Sequence, residues 1–89
     1  MATKAKWTAG WNMPGFLPDM TPETFDSFEE ARSWVIIELK NDEDYVNGDD
    51  LDSVHRAMRE LEAYEGPGEW GETVTINGLT WAYWITQNT

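Results

Sequence analysis

The sequence predicts an α+β fold: a three-stranded antiparallel sheet with two helices packed on one face, in the order β-α-α-β-β. Three observations carry this. An Asn77-Gly78 pair sits between two β-rich runs near the end of the chain. Two stretches in the middle repeat apolar residues at three- and four-residue steps. A short alternating segment lies near the start. Eighty-nine residues make one domain, and no internal repeat divides it.

The first strand is expected at about residues 4–12. There Trp7, Ala9 and Trp11 alternate with Lys6, Thr8 and Gly10. The next ten residues, Met13 to Pro22, contain Pro14, Pro18 and Pro22, which lack N–H donors and restrict the residues before them. They predict an apolar loop.

A helix follows. Ser27 with Glu30 forms a capping-box pattern, overlapped by Asp26 with Glu29. Phe28, Ala31, Val35, Leu39 and Val46 fall on one helical face, flanked by Trp34 and Ile36. Gly48 ends or breaks this helix. Asp49 or Asp50 can cap a second one, in which Leu51, Val54, Met58 and Leu61 recur on one face. Gly66-Pro67-Gly68 stops it, so the two helices form a hairpin.

Asn77-Gly78 suits a two-residue type I′ turn, because both central residues need positive φ. That register pairs Ile76 with Leu79, Val74 with Trp81, and Glu72 with Tyr83. Val74, Ile76, Leu79, Trp81, Tyr83 and Ile85 then share the core face. Thr73, Thr75, Thr80, Ala82 and Trp84 share the other, where Trp84 is left in want of a cover. A two-stranded hairpin is marginal alone, so the N-terminal strand is expected to join it.

Composition narrows the function. Seventeen Asp and Glu stand against six Lys and Arg, a formal net charge of −11. The excess lies in the second half: Asp42, Glu43, Asp44, Asp49, Asp50 and Asp52 run without a base, and Glu60, Glu62, Glu65, Glu69 and Glu72 follow. Such charge repels nucleic acid and anionic membranes and attracts basic surfaces. Hydrophobic residues make up 40% of the chain and aromatics 13%, too many for a disordered acidic tail. The absence of cysteine removes disulfides, thiolate metal sites and cysteine nucleophiles, and fits a reducing cytosol. Met1 to Lys6 is too short and polar for a signal peptide, and no run is long enough to span a membrane. A soluble cytoplasmic protein is expected, as a monomer or small homo-oligomer.

No catalytic motif emerges. His55 is the sole histidine, and nothing selects a serine and an aspartate to join it. From Asp42 the EF-hand pattern fails at position five, Val46, and at position twelve, Ser53. Gly66-Pro67-Gly68 is not followed by the Gly-Lys-Ser/Thr of a phosphate loop. No enzyme, cofactor or metal is expected. A solvated surface is the ordinary reading of so many acids. The functional reading is a mimic of nucleic-acid backbone that competes for phosphate-binding Lys and Arg.

The candidate partner-binding residues are therefore Glu38, Asp42, Glu43, Asp44, Asp49, Asp50, Asp52, Glu60, Glu62 and Glu65, with Phe16 and Trp84 as apolar anchors. Two other readings stand beside this one. The Pro-rich loop 13–22 and the exposed sheet face could serve a generic protein–protein module. Trp7, Trp11, Trp81, Tyr83 and Trp84 could form an aromatic platform for a ligand.

The run Trp11-Asn12-Met13-Pro14-Gly15-Phe16-Leu17-Pro18-Asp19, followed by Phe25-Asp26-Ser27-Phe28-Glu29-Glu30-Ala31, resembles small acidic proteins encoded by bacteriophages and other mobile elements. Ala82-Tyr83-Trp84-Ile85 matches their aromatic final strand. The resemblance covers about a third of the chain and its motifs are structural, so no catalytic residue carries over. It implies a setting. Such proteins often block host defences, as anti-CRISPR and antirestriction proteins do when they occupy nucleic-acid sites. The expected partner is a basic nucleic-acid-binding protein or complex of the host, with no direct contact to nucleic acid or membrane.

Overall fold

The computed structural model describes residues 6–12, 22–64 and 69–88. Its elements are β1 (Trp7–Asn12), β2 (Glu23–Phe25), α1 (Phe28–Glu43), α2 (Gly48–Ala63), β3 (Trp70–Ile76) and β4 (Leu79–Gln87). The fold is α+β, with two helices and an antiparallel sheet, as expected. The sheet has four strands rather than three, in the order β2-β1-β4-β3. The loop expected over 13–22 lies outside the described residues except for Pro22, as does the helix stop at 66–68.

The added strand is β2, which pairs Phe25 with Trp7, Thr24 with Thr8 and Glu23 with Ala9. Three residues are too few to show a period. What makes them a strand is β1 beside them, not their own pattern.

The C-terminal hairpin has the expected register: Ile76 opposite Leu79, Val74 opposite Trp81, Glu72 opposite Tyr83. Asn77 (φ 52°) and Gly78 (φ 83°) both have the positive φ that the turn demands. The N-terminal strand does join it. β1 pairs with β4 from Trp7–Gln87 to Asn12–Ala82, so the first strand lies inside the sheet. Asn88 N–H donates to the Lys6 carbonyl at 2.7 Å and extends this pairing.

Ser27 caps α1 as expected, its hydroxyl accepting from the Glu30 N–H at 3.2 Å. Glu30 Oε2 in turn accepts from the Asp26 N–H at 3.4 Å. Two expectations shift at the other end. Val46 is buried, but in the turn after α1 rather than on its face. The N-cap of α2 is Asn47, with no side-chain capping bond. Asp49 and Asp50 instead fall in the first helical turn, where their charges favour the positive end of the helix dipole. Gly48, at φ 57°, makes the bend that separates the helices. The C-terminus of α2 is held from α1: Arg32 Nη2 donates to the Tyr64 carbonyl at 2.5 Å, with its guanidinium 5.0 Å from the Phe28 ring centroid.

The core lies between the helices and one sheet face. Ala31, Val35 and Leu39 of α1 and Val54, Ala57 and Leu61 of α2 meet Ala9, Val74, Tyr83 and Ile85, all fully or almost fully buried. Trp11 packs edge-on to Trp81 at 5.2 Å between centroids, and Trp7 lies 5.2 Å from Phe28. Leu79, expected in the core, is half exposed. It sits at the hairpin tip, beyond the end of β1.

Alternation puts Thr8, Thr24, Thr73, Thr75, Thr80 and Thr86 on the face away from the helices, with Ala82 and Trp84. Glu23 and Glu72 are the only carboxylates within the described strands, and both fall on the helix side.

β3 is an edge strand, and the outward N–H groups of Thr73 and Thr75, with that of Asn77 in the turn after it, are occupied. Thr75 N–H donates to Ser53 Oγ of α2 at 3.0 Å. Thr73 N–H donates to Glu72 Oε1 at 3.0 Å, and Asn77 N–H donates to Asp50 Oδ2 at 3.0 Å. Ser53 itself donates to the Asp50 carbonyl at 2.7 Å.

Candidate functional site

The acids expected to bind a partner separate into two groups once their contacts are known. Some hold the fold. Others face solvent with nothing to balance them.

Asp42 belongs to the first group. It lies near the end of α1, and Tyr83 Oη donates to its Oδ2. Burial pushes the Asp42 carboxyl above the ordinary aspartate range, partly offset by that hydrogen bond. Burial also raises the Tyr83 hydroxyl, helped by the carboxylates of Asp42 and Glu38. Glu38, one turn earlier, is raised first by burial and then by the charges of Asp42 and Glu23. These three carboxylates gather where α1 meets the sheet.

Glu43 turns toward α2 instead, where its Oε2 lies 2.8 Å from His55 Nε2. Asp50 clamps the hairpin turn through Asn77, as described. Glu60 of α2 and Glu72 of β3 lie close enough for their carboxyl groups to interact. The interaction with Glu72 raises the Glu60 carboxyl, and the same interaction lowers that of Glu72.

Asp44, Asp49, Asp52 and Glu62 form the second group. All four are exposed, and among the described residues none has a side-chain hydrogen bond or ion pair. There the one salt-bridge contact is Glu43 with His55, an ion pair only when the imidazole is protonated, and no Lys or Arg neutralises a carboxylate by direct contact. Arg56 and Arg59 are exposed on α2 and interrupt its acidic face. Of the acids expected to bind a partner, the uncompensated ones gather around the α1–α2 turn, with Glu62 further along; Asp26, Glu29 and Glu69 are exposed in the same way elsewhere.

Their placement has a local cost. The carbonyl end of a helix repels anions by about 0.3–1 kcal/mol per exposed charge. Asp42, Glu43 and Asp44 occupy that end of α1, where only Lys40 is basic. Tyr83 and His55 offset the first two. Asp44 is the C-cap residue, and among the described residues its side chain is offset by nothing.

Trp84 stands apart from all of these. It projects from the far side of the sheet, its Nε1–H donating to Asn12 Oδ1 at 2.8 Å. The acids and Trp84 thus lie on opposite sides of the molecule, and one flat partner surface cannot touch both. Glu65 and Phe16 lie outside the described residues. Of the aromatic platform, Trp7, Trp11, Trp81 and Tyr83 share the helix-side face and only Trp84 lies on the open one.

Among the described residues no three acidic or histidine side chains converge in a way that could hold a metal ion. No helix there is long and apolar enough to cross a membrane. Sequence reasoning missed the structural roles of Ser53, Glu23 and Glu72, because each depends on a partner a dozen or more residues away or on the unforeseen strand β2. No protein-family model matches the chain, and none of the curated proteins or solved structures compared with it is significantly similar.

Proposed function

We propose that the protein is a non-enzymatic acidic inhibitor. It docks the acidic α1–α2 turn onto a basic, nucleic-acid-binding surface of a host defence complex. The observation that carries this reading is Asp44, Asp49 and Asp52, exposed around one turn without a cation, with Asp44 at the helix end that disfavours it. Departures from local stability rules gather at functional sites. Net charge of −11 adds long-range steering toward Lys and Arg, which speeds association and weakens with salt.

The test uses Asp49→Lys together with Asp52→Lys. Asp50 is left alone, because its carboxylate also holds the β3–β4 turn. Tagged wild type and variant are incubated with lysate of a bacterium carrying active CRISPR and restriction systems, then washed at low and high salt. The expected result is a nucleic-acid-binding effector retained by the wild type at low salt, released at high salt and lost with the variant. A partner held equally by both proteins, at both salt concentrations, overturns the proposal.

A further inference from the structure

We infer that the open face of the sheet is a self-association surface, closed by a second copy of this chain packed face to face about Trp84. The argument starts from where charge is absent. The chain carries −11, so two copies repel each other over most of their surface. The strands place both of their described carboxylates, Glu23 and Glu72, on the helix side. The open side presents threonines, Ala82 and Trp84 instead. It is the one side of the described sheet where two copies can approach without bringing like charges together.

Face-to-face packing also keeps the remaining charges apart. Two stacked sheets lie about 10 Å apart, and each carries its helices on the outside. The acidic helical layers are then separated by roughly 30 Å, against a Debye length of about 8 Å at physiological salt. Repulsion between them is screened, and added salt leaves the dimer intact or strengthens it. The proposed partner contact at the α1–α2 turn has the opposite salt dependence.

Trp84 supplies the anchor. It sits on the inner strand β4 and is flanked by Gly10 on β1 and Gly71 on β3, positions without side chains. Its ring lies over Gly10: a Cβ placed there would come within 2.7 Å of ring carbon Cζ2. The bond to Asn12 fixes the indole in this attitude. A rigid tryptophan near the middle of a contact, ringed by smaller groups, is the usual composition of a hot spot. The β-branched threonines around it lose little rotamer freedom when covered.

The size of the face sets the strength. Strands of 6, 3, 7 and 9 residues, at about 3.3 Å per residue and about 4.8 Å spacing, give roughly 400 Å² per copy in projection. Two copies approach the lower bound of about 1,000 Å² for a specific interface. A weak, two-fold symmetric dimer is expected, forming at tens of micromolar rather than nanomolar concentration.

Sedimentation equilibrium tests this over about 5–500 µM, at low and high salt, on wild type and on Thr73→Glu. Thr73 is exposed, so the variant keeps its fold, which circular dichroism verifies. The expected result is a wild-type dimer that persists at high salt, and a Thr73→Glu protein that stays monomeric throughout the range. A wild-type monomer at the highest concentration overturns the inference, as does a dimer that Thr73→Glu leaves unchanged. If oligosaccharides shift the tryptophan emission of a strictly monomeric wild type, the face belongs to a ligand and the inference fails.

Discussion

The indole of Trp84 rests on Gly10 of the neighbouring strand, and the absence of a side chain at Gly10 is what lets it lie there. Any Cβ at residue 10 displaces the ring and strains its bond to Asn12. Gly10→Ala is therefore expected to lower stability by about 1–3 kcal/mol, the usual cost of overpacking. Urea unfolding measures it. With Trp84→Phe as background the penalty should shrink, because a smaller ring leaves room. An equal penalty in both backgrounds would mean that the ring is not what Gly10 accommodates.

Burial of Asp42 and Glu38 makes stability depend on pH in a stated direction. Both carboxyls are held above their ordinary values, 3.8 and 4.5, so the folded chain binds their protons more tightly than the unfolded chain does. Their contribution to stability is then greatest at low pH, and it falls as pH rises from the ordinary value through the raised one. The pair Asp42→Asn with Glu38→Gln removes both charges, and the amide oxygen introduced by Asp42→Asn can still accept from Tyr83. The double variant is expected to be more stable than wild type at pH 7 and to show a flatter melting-temperature profile between about pH 4 and 7. Parallel profiles would show that neither carboxyl bears the effect. Glu72, which is lowered, acts in the reverse sense and loses its contribution as pH falls through its depressed value.

Ser53 is the link between α2 and the edge of the sheet. Ser53→Ala removes the acceptor of the Thr75 N–H and should cost about 1–2 kcal/mol. It also leaves a strand edge with a free donor, which is a template for pairing with other chains. Light scattering at elevated temperature should rise for Ser53→Ala more than for a surface variant of equal stability loss. Equal scattering would confine the role of Ser53 to stability.

Arg32 supplies from α1 the cation that the last turn of α2 lacks. Arg32→Ala is expected to cost about 1–3 kcal/mol, through the bond to the Tyr64 carbonyl and the packing on Phe28. Arg32→Lys should recover only part of this, since a lysine cannot reproduce the flat stacking. Chemical denaturation of the three proteins ranks them directly.

Much of the fold was legible wherever local chemistry decides local structure. Asn77-Gly78 set the hairpin and its register, and Ser27 with Glu30 set the start of α1. What stayed hidden depended on distant partners. Glu23–Phe25 becomes a strand only because β1 offers it a ladder. Asn47 rather than Asp49 or Asp50 precedes α2, because Gly48 bends the chain one step earlier and Asp50 is drawn to the hairpin turn. The acids show the same divide. Composition revealed their excess, but Asp42, Glu43 and Asp50 differ from Asp44, Asp49 and Asp52 only through Tyr83, His55 and Asn77, which lie twelve or more residues away.

The position of β1 governs the order in which the molecule can be completed. It is an inner strand, yet it is made before both helices, and its longest ladder is to β4, seventy to eighty residues later. A growing chain can pair β1 with the nearby β2 at once and later pack α2 against β3, while the other edge of β1 waits for β4. Contacts this far apart in sequence slow folding and prolong the exposure of apolar groups. The inner place of β1 is thus complete only once β4 has been made, and until then the edge it later gives to β4 is open to chaperones or to neighbouring chains.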